Sequence, residues 1–294
     1  MAKIAVTGSS GLIGRELVRQ LKDHDLVEID IEIDSKAHDI ANIDVVRALT
    51  KDCTGIIHLA AVSRVAEAQE HPLRTWASNV TGTHNIFDAA LSRSEKPWVI
   101  HASSREVYGN QPRQAIPETT QMTPLNIYGR SKSAGEAMAY AAQDAGANIA
   151  ILRFANVYGD IYDYSDRVIP AFSRAAVNGT ALRVDDAQTC MDFTHVVDVS
   201  QGVASVVELL LKGEKNLPPI HFATGTGTTL GELARMAVAA SGNTCELNEV
   251  EKRDASVSCF IGDPERAKSI LGWTHKTPLQ SGFTEMVEAF RNAS

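Results

Sequence analysis

A short apolar run, Ile4-Ala5-Val6, leads into Gly8-Ser9-Ser10-Gly11-Leu12-Ile13-Gly14. Beyond it Leu12, Ile13, Leu17, Val18 and Leu21 recur at helical spacing. A strand that turns on glycines into a helix commits the chain to a parallel α/β arrangement, because the next strand returns beside the first only through a crossover. Glycines at such a turn let backbone approach a pyrophosphate, which the free N–H groups of the helix N-terminus attract. The same residues would also make a tight turn with no ligand. Their place between a strand and a helix favours a dinucleotide.

Alternation continues. Leu26 to Ile31, Ile56 to Ala60, Trp98 to Ala102 and Ile149 to Phe154 read as further short strands, with helical stretches at Trp76 to Leu91 and Tyr128 to Gln143 between them. Strand, helix, strand in this order predicts a doubly wound parallel sheet of the Rossmann type. After about residue 160, Pro170, Asn178-Gly179, Pro218-Pro219 and Gly225-Thr226-Gly227 punctuate shorter elements. Residues 1–160 are therefore expected to be mainly the cofactor domain. Residues 161–294 are expected to be mainly a smaller lobe, some of whose segments return to the large sheet and whose last helix lies near Gly282 to Phe290.

The 36 Asp and Glu against 28 Lys and Arg give a net charge of −8, with no basic run, which argues against duplex nucleic acid or an anionic membrane as partner. Four cysteines, Cys53, Cys190, Cys245 and Cys259, form no C-x-x-C, and the nine histidines show no ligand spacing, so no metal or disulfide framework is expected. No apolar stretch is long enough to span a membrane. Reduced thiols in a cytoplasmic protein are the plain expectation.

Asp30, sixteen residues past Gly14, is placed to accept hydrogen bonds from both adenosine ribose hydroxyls and to repel a 2′-phosphate, which points to NAD rather than NADP. It would otherwise be one turn acid among Glu28, Glu32 and Asp34. Tyr128 and Lys132 are four apart in a helical stretch and so share a face. A tyrosine needs neighbouring cations before it serves as a base near neutral pH; without them the pair is an exposed tyrosine and a solvated lysine. Ser103 and Ser104 end a strand, where a doubly wound sheet binds its ligands, although serines there also cap turns.

With these residues in place the sequence resembles the extended short-chain dehydrogenase/reductases, and among them the NAD-dependent sugar-nucleotide epimerase/dehydratase group, of which the UDP-glucose 4-epimerase-like enzymes are the nearest pattern. The resemblance runs through Gly8 to Gly14, Asp30, Asp39-Ile40, Ile57 to Ala61, Asn79 to Thr83, Ser104 to Gly109, Tyr128 to Lys132, Arg153 to Gly159, Asp192 to Asp198 and Leu271-Gly272-Trp273. It implies that Asp39 and Ile40 flank the adenine, that Leu59, Ala60 and Ala61 line the cofactor groove, and that Asn79 supports the site from the middle of the sheet. It further implies Tyr128 as base and acid, Lys132 as the group that holds the nicotinamide ribose and lowers the tyrosine pKa, Ser104 as the hydroxyl fixing the sugar oxygen, and Asn156 as a phosphate contact. A homodimer through helices including that of Tyr128 is implied as well.

The chemistry implied is transient oxidation at a sugar C4, with a 4-keto intermediate whose fate separates a 4-epimerase from a decarboxylase, a dehydratase or a net dehydrogenase. A regulator that binds NAD without catalysis would have no use for Ser104, Tyr128 and Lys132 together. Dehydratases of the group carry Asp-Glu after the hydroxyl residue; here it is Arg105-Glu106, and an arginine cannot act as the general acid. Glu106 leaves decarboxylation open. Met191 stands where many members have a phosphate-binding arginine, so Arg183 and Arg253 are the candidate substitutes, and Arg64 or Arg105 the candidate clamps for an acidic sugar. His58, His101 and His195 read as satisfied structural histidines, and Leu271, Trp273, Met286 and Val287 as C-terminal packing.

Overall fold

The computed structural model describes residues 1–251 and 256–293. Its main sheet has six parallel strands. β1 (Lys3–Thr7) lies between β2 (Asp25–Ile29) and β3 (Gly55–His58), and β4 (Trp98–Ser104), β5 (Ile149–Phe154) and a short strand at Ile220–Phe222 follow outward from β3. Connecting them are α1 (Leu12–Gln20), α2 (Ile43–Thr50), α3 (Val65–Glu70), α4 (Pro72–Trp76), α5 (Gly82–Leu91) and α6 (Ile127–Asp144).

Alternate strand residues enter two separate cores. Ile4, Val6, Ile100, Ala150 and Leu152 pack on one face with Leu17 and Leu21. Ala5, Val99, Ile149 and Ile151 pack on the other with Val46, Ile86, Phe87 and Ala139. Apolar residues on both faces at period two are what a sheet covered on both sides requires. The chain leaves β1 to form β2 on one side and then β3 on the other, so the crevice between the ends of β1 and β3 is the switch point where such sheets bind ligands.

The second half contributes β6 (Asn156–Tyr158), β7 (Leu182–Asp185), β8 (Cys190–His195), β9 (Ile220–Phe222), β10 (Gly227–Thr229), β11 (Leu247–Val250) and β12 (Cys259–Phe260). Its helices are α7 (Val168–Val177), α8 (Val196–Leu211), α9 (Leu230–Ser241), α10 (Glu265–Leu271) and α11 (Leu279–Ala293). Phe172, Leu182, Val184, Phe193, Leu233, Phe260, Phe283 and Met286 form a third core away from the main sheet. By contrast α8 and α10 send Val199, Val203, Val206 and Ala267 onto the main sheet beside Phe222 of β9. Trp273 closes that layer edge-on against Phe222, and its indole N–H donates to the Asp198 carbonyl at 2.8 Å.

Local chemistry sets the boundaries. Thr229 and Glu232 form a reciprocal capping box on α9, which ends at Gly242 with φ +70°. Asp192 is fully buried in β8 and accepts from the Thr224 N–H (2.9 Å), the Thr224 hydroxyl (2.8 Å) and the Gly225 N–H (2.9 Å), tying the turn before β10 to the third core. Burial raises its carboxyl to about 6, against the pull of those donors.

Several details differ from the expectations drawn from sequence. β2 stops at Ile29, so Asp30 stands in the following loop. The stretch from Trp76 to Leu91 is not one helix: a π-helical turn over Ala77–Thr81 interrupts it. Asn79 lies in that turn and is buried. Cys190 and Cys259, far apart in sequence, are register partners across the parallel β8 and β12, both as free thiols. Among the described residues no helix is long and apolar enough to cross a membrane.

Candidate active site

A cavity of about 1060 Å³ opens at the carboxyl ends of β1, β3 and β4 and runs from the glycine turn to the start of α7. At one end Gly8 adopts φ +74°, and a Cβ there would lie 2.7 Å from the Ala60 nitrogen. A Cβ on Gly14 would meet the Gly8 carbonyl oxygen at 2.1 Å. These contacts demand glycine: the first residue makes the turn, and the second lets α1 seat against it. The Ser9 hydroxyl, buried in the turn, has no hydrogen-bond partner among the described residues.

Asp30 lines the cavity with Asp39 and Ile40, and each of its oxygens accepts one backbone N–H, Ser10 to Oδ2 and Glu32 to Oδ1, both at 3.0 Å. Each carboxylate oxygen thus keeps a lone pair for a further donor. Ile31, Glu32, Ser35 and His38 complete this end, which holds no lysine or arginine to meet a 2′-phosphate. Gly11, Leu12, Ile13, Leu59, Ala60 and Ala61 line the adjoining groove. These residues fit NAD.

Asn79 lies elsewhere. It is buried in the π-helical turn, not in the sheet, and is absent from the cavity wall. Its Oδ1 accepts from the Val62 N–H (2.8 Å), while Nδ2 donates to the Val62 carbonyl (3.0 Å) and the Ser131 hydroxyl (2.9 Å). It therefore pins the loop after β3 to α6.

The helix α6 starts at Asn126, whose side chain accepts from the Gly129 N–H at 2.8 Å and whose Nδ2 donates to Glu106 Oε2 at 2.7 Å. Such a cap orients the first turn, where Tyr128 sits. The Ser104 hydroxyl at the end of β4 neighbours the phenol and draws its pKa down, and Lys132 donates to the Ala102 carbonyl at 2.9 Å, its Nζ 6.0 Å from the Tyr128 ring centre. Ser104, Tyr128 and Lys132 thus converge at the far end of the cavity.

Their electrostatics depart from expectation. Burial raises the Tyr128 phenol above its ordinary value; the Ser104 hydroxyl and the Arg167 and Arg105 guanidinium groups pull it down, and Glu106 opposes them. Lys132, turned to the Ala102 carbonyl, is not among these influences, so the protein alone does not bring the phenol down. Burial also lowers Lys132 to about 8. His58 is held neutral, pushed to about 3 by burial and by Lys132, and lies within hydrogen-bond distance of the Thr7 and Thr83 hydroxyls at 2.8 and 3.0 Å. His195 caps α8, accepting from the Val197 N–H at 3.3 Å. His101 corrects the reading of a satisfied histidine: fully buried, it packs on His58 and Phe87, and neither ring nitrogen has a hydrogen-bond partner among the described residues.

Beside Ser104, Arg105 and Glu106 are ion-paired at 2.8 Å. Arg105 also donates through Nε to Asn156 Oδ1 at 3.2 Å, and Asn156 donates to the Asp192 carbonyl at 3.1 Å. All three line the cavity, already bound to one another. Met191 is buried in the third core. Arg183 is not brought to the site. Alternation along β7 turns Leu182 and Val184 inward and Arg183 outward, where it is exposed and donates to Asp185 at 2.8 Å. Arg253 falls outside the described residues.

Sequence reasoning missed the segment 160–167, which closes the cavity. Asp160 pairs with Arg15 of α1 at 3.2 Å, Asp166 with Arg64, and Arg167 donates to Ser63 at 3.0 Å. Arg64 and Arg167 both lie over the Tyr164 ring, at 5.0 and 5.4 Å. No motif marks these residues; only the alternation of tyrosines and aspartates beside arginines distant in sequence gave a signal.

The model of the NAD dependent epimerase/dehydratase family matches residues 4–217. A UDP-glucose 4-epimerase from Rhizobium leguminosarum bv. trifolii is 28% identical over 254 residues, covering 80% of this chain and 76% of that protein. Among solved structures, MoeE5 in complex with UDP-glucose and NAD superposes with a TM-score of 0.89 at 25% identity, covering 99% of both chains. The UDP-glucose 4-epimerase of Thermotoga maritima with UDP-glucose does so at 0.88 and 25%, again over 99% of each. A match across most of the chain, on a fold whose glycine turn, Ser104, Tyr128 and Lys132 meet in one cavity, makes this protein a member of the NAD-dependent epimerase/dehydratase family.

Proposed function

We propose that the protein is an NAD-dependent 4-epimerase of a nucleoside-diphosphate hexose, with UDP-glucose and its 4-epimer as the first substrates to try. One observation carries the choice among the family's reactions: Glu106 is buried and bound on one oxygen by Arg105 and on the other by Asn126. A carboxylate so occupied is poorly placed to remove a proton, and Arg105 cannot supply one. Dehydration and decarboxylation thus lose their second acid–base group, and Tyr128 remains.

In this reading Gly8, Gly11, Leu12, Ile13 and Gly14 hold the pyrophosphate, and Asp30 accepts from the adenosine ribose hydroxyls. Asp39 and Ile40 flank the adenine, Leu59, Ala60 and Ala61 form the groove wall, and Asn79 acts indirectly through Val62. NAD, when bound, supplies reversible hydride transfer at C4. Ser104 fixes the C4 oxygen by hydrogen bond, and Tyr128 takes the C4 hydroxyl proton and later returns it to the 4-keto sugar. Lys132 donates to the nicotinamide ribose and adds positive charge beside the phenol, while Asn156 and Arg105 meet the sugar and its phosphate. Residues 161–294 mainly form the substrate lobe.

A cytoplasmic homodimer is part of the same proposal. Tyr140 of α6, the helix of Tyr128, and Leu73 and Trp76 of α4 expose apolar surface at 41%, 85% and 43%. Light scattering is expected to give twice the 31.7 kDa chain mass; the mass of a single chain would remove the dimer. Incubation with UDP-glucose, followed by NMR, is expected to yield the 4-epimer with no net NADH absorbance. A pentose, a dehydrated ketosugar or accumulating NADH would identify a decarboxylase, a dehydratase or a dehydrogenase instead, and no turnover of any nucleotide sugar would leave a non-catalytic NAD-binding protein.

A further inference from the structure

Glu136 stands one turn beyond Lys132 on the face of α6 that carries Tyr128, and it is fully buried. Three successive residues of β4 are each tied to one member of this row. Ser104 neighbours the Tyr128 phenol and draws its pKa down, the Ala102 carbonyl accepts from Lys132 at 2.9 Å, and the Ser103 hydroxyl donates to Glu136 Oε1 at 2.5 Å. Strand end and helix face are thereby locked in one register. From the far side Arg153 of β5 holds the Glu136 carboxylate through Nε at 2.8 Å and through Nη2 at 2.5 Å.

We propose that Glu136 is a positioning residue for the epimerase reaction, its carboxylate, buried one helical turn from Lys132 and tied to β4 and β5, keeping the Lys132 side chain seated on the end of β4 beside Tyr128. The proposal rests on the reading of Tyr128 and Lys132 given above. Of the titratable groups around Lys132, His58 of β3 and His101 of β4 are neutral, and each is driven further that way by the ammonium. Tyr128 is a neutral phenol under the influence of Arg167, Arg105 and Glu106. Burial works against the ammonium, and Glu136 is the carboxylate that opposes it. Arg153 faces Glu136 and also donates to the Tyr108 hydroxyl and the Glu118 carbonyl, so the ion pair has a structural duty as well.

The test separates the two duties. With the carboxylate gone, the ammonium loses its proton at lower pH. In Glu136→Gln the alkaline limb of the kcat profile, measured on the NAD-loaded enzyme with UDP-glucose, is therefore expected to move down by about one pH unit. Because this variant leaves Arg153 buried without its partner, the double variant Glu136→Gln/Arg153→Met is measured beside it; removing both charges restores a neutral core. The double variant is expected to recover thermal stability and keep the displaced limb, and Glu136→Asp to keep the limb near that of the parent. A limb that stays in place in either Gln variant, or returns in the double variant along with stability, overturns the proposal. Full turnover in Tyr128→Phe would instead overturn the reading on which it rests, so the two failures are told apart.

Discussion

Tyr128→Phe is expected to lower kcat about 1,000-fold while leaving NAD bound, within the range for loss of a positioned general acid–base group. The phenyl ring keeps the packing at the α6 N-terminus and removes the hydroxyl beside Ser104. Ser104 and Lys132 remain but cannot replace it: a serine hydroxyl is too weak an acid or base, and Lys132 donates to the Ala102 carbonyl with its Nζ 6.0 Å from the ring centre. Steady-state kinetics, with bound NAD measured on the denatured protein, checks both parts. Retained turnover contradicts the mechanism, and lost NAD shows that the variant has damaged the cofactor site instead.

Arg153→Ala is expected to destabilise the fold by about 3–5 kcal/mol, the range for breaking a buried ion pair from one side. Arg153 is 4% exposed and its guanidinium serves Glu136, the Tyr108 hydroxyl and the Glu118 carbonyl. Truncation leaves the Glu136 carboxylate in the core with only the Ser103 hydroxyl. It also leaves the Tyr108 hydroxyl with His221, whose ring burial and the Arg153 charge hold neutral, near 3. Urea denaturation followed by fluorescence measures the effect; an unfolding free energy within about 1 kcal/mol of the parent's would mean that the network relaxes around the loss.

How much of this was legible follows from the range of each interaction. Gly8 to Gly14 were readable because the turn, its positive φ at Gly8 and the helix it opens are all local. Tyr128 and Lys132 were readable because helical spacing fixes which side chains share a face, and Asn126 was an available cap that went unread. Glu136 and Arg153 were missed for different reasons. Glu136 lies in the helical stretch Tyr128 to Gln143 with no motif of its own, and Arg153 sits inside the apolar run Ile149 to Phe154. Period two turns Arg153 away from Ala150 and Leu152, but only packing with α6 shows what it meets.

The sequence by itself therefore determined the parallel sheet and the dinucleotide turn, and placed Tyr128 and Lys132 on one helix face, since short-range spacing and backbone sterics dictate them; Ser104 joined them only through the family resemblance. Only the tertiary structure decided which charges are spent on one another. It paired Arg105 with Glu106, laid Asp160 to Arg167 across the cavity, turned Arg183 to solvent and joined Glu136 of α6 to Arg153 of β5. Such pairings depend on strand register and on segments about a hundred residues apart coming into contact, as Arg64 and Asp166 do. No local spacing encodes that choice, and it governs which groups remain free to act.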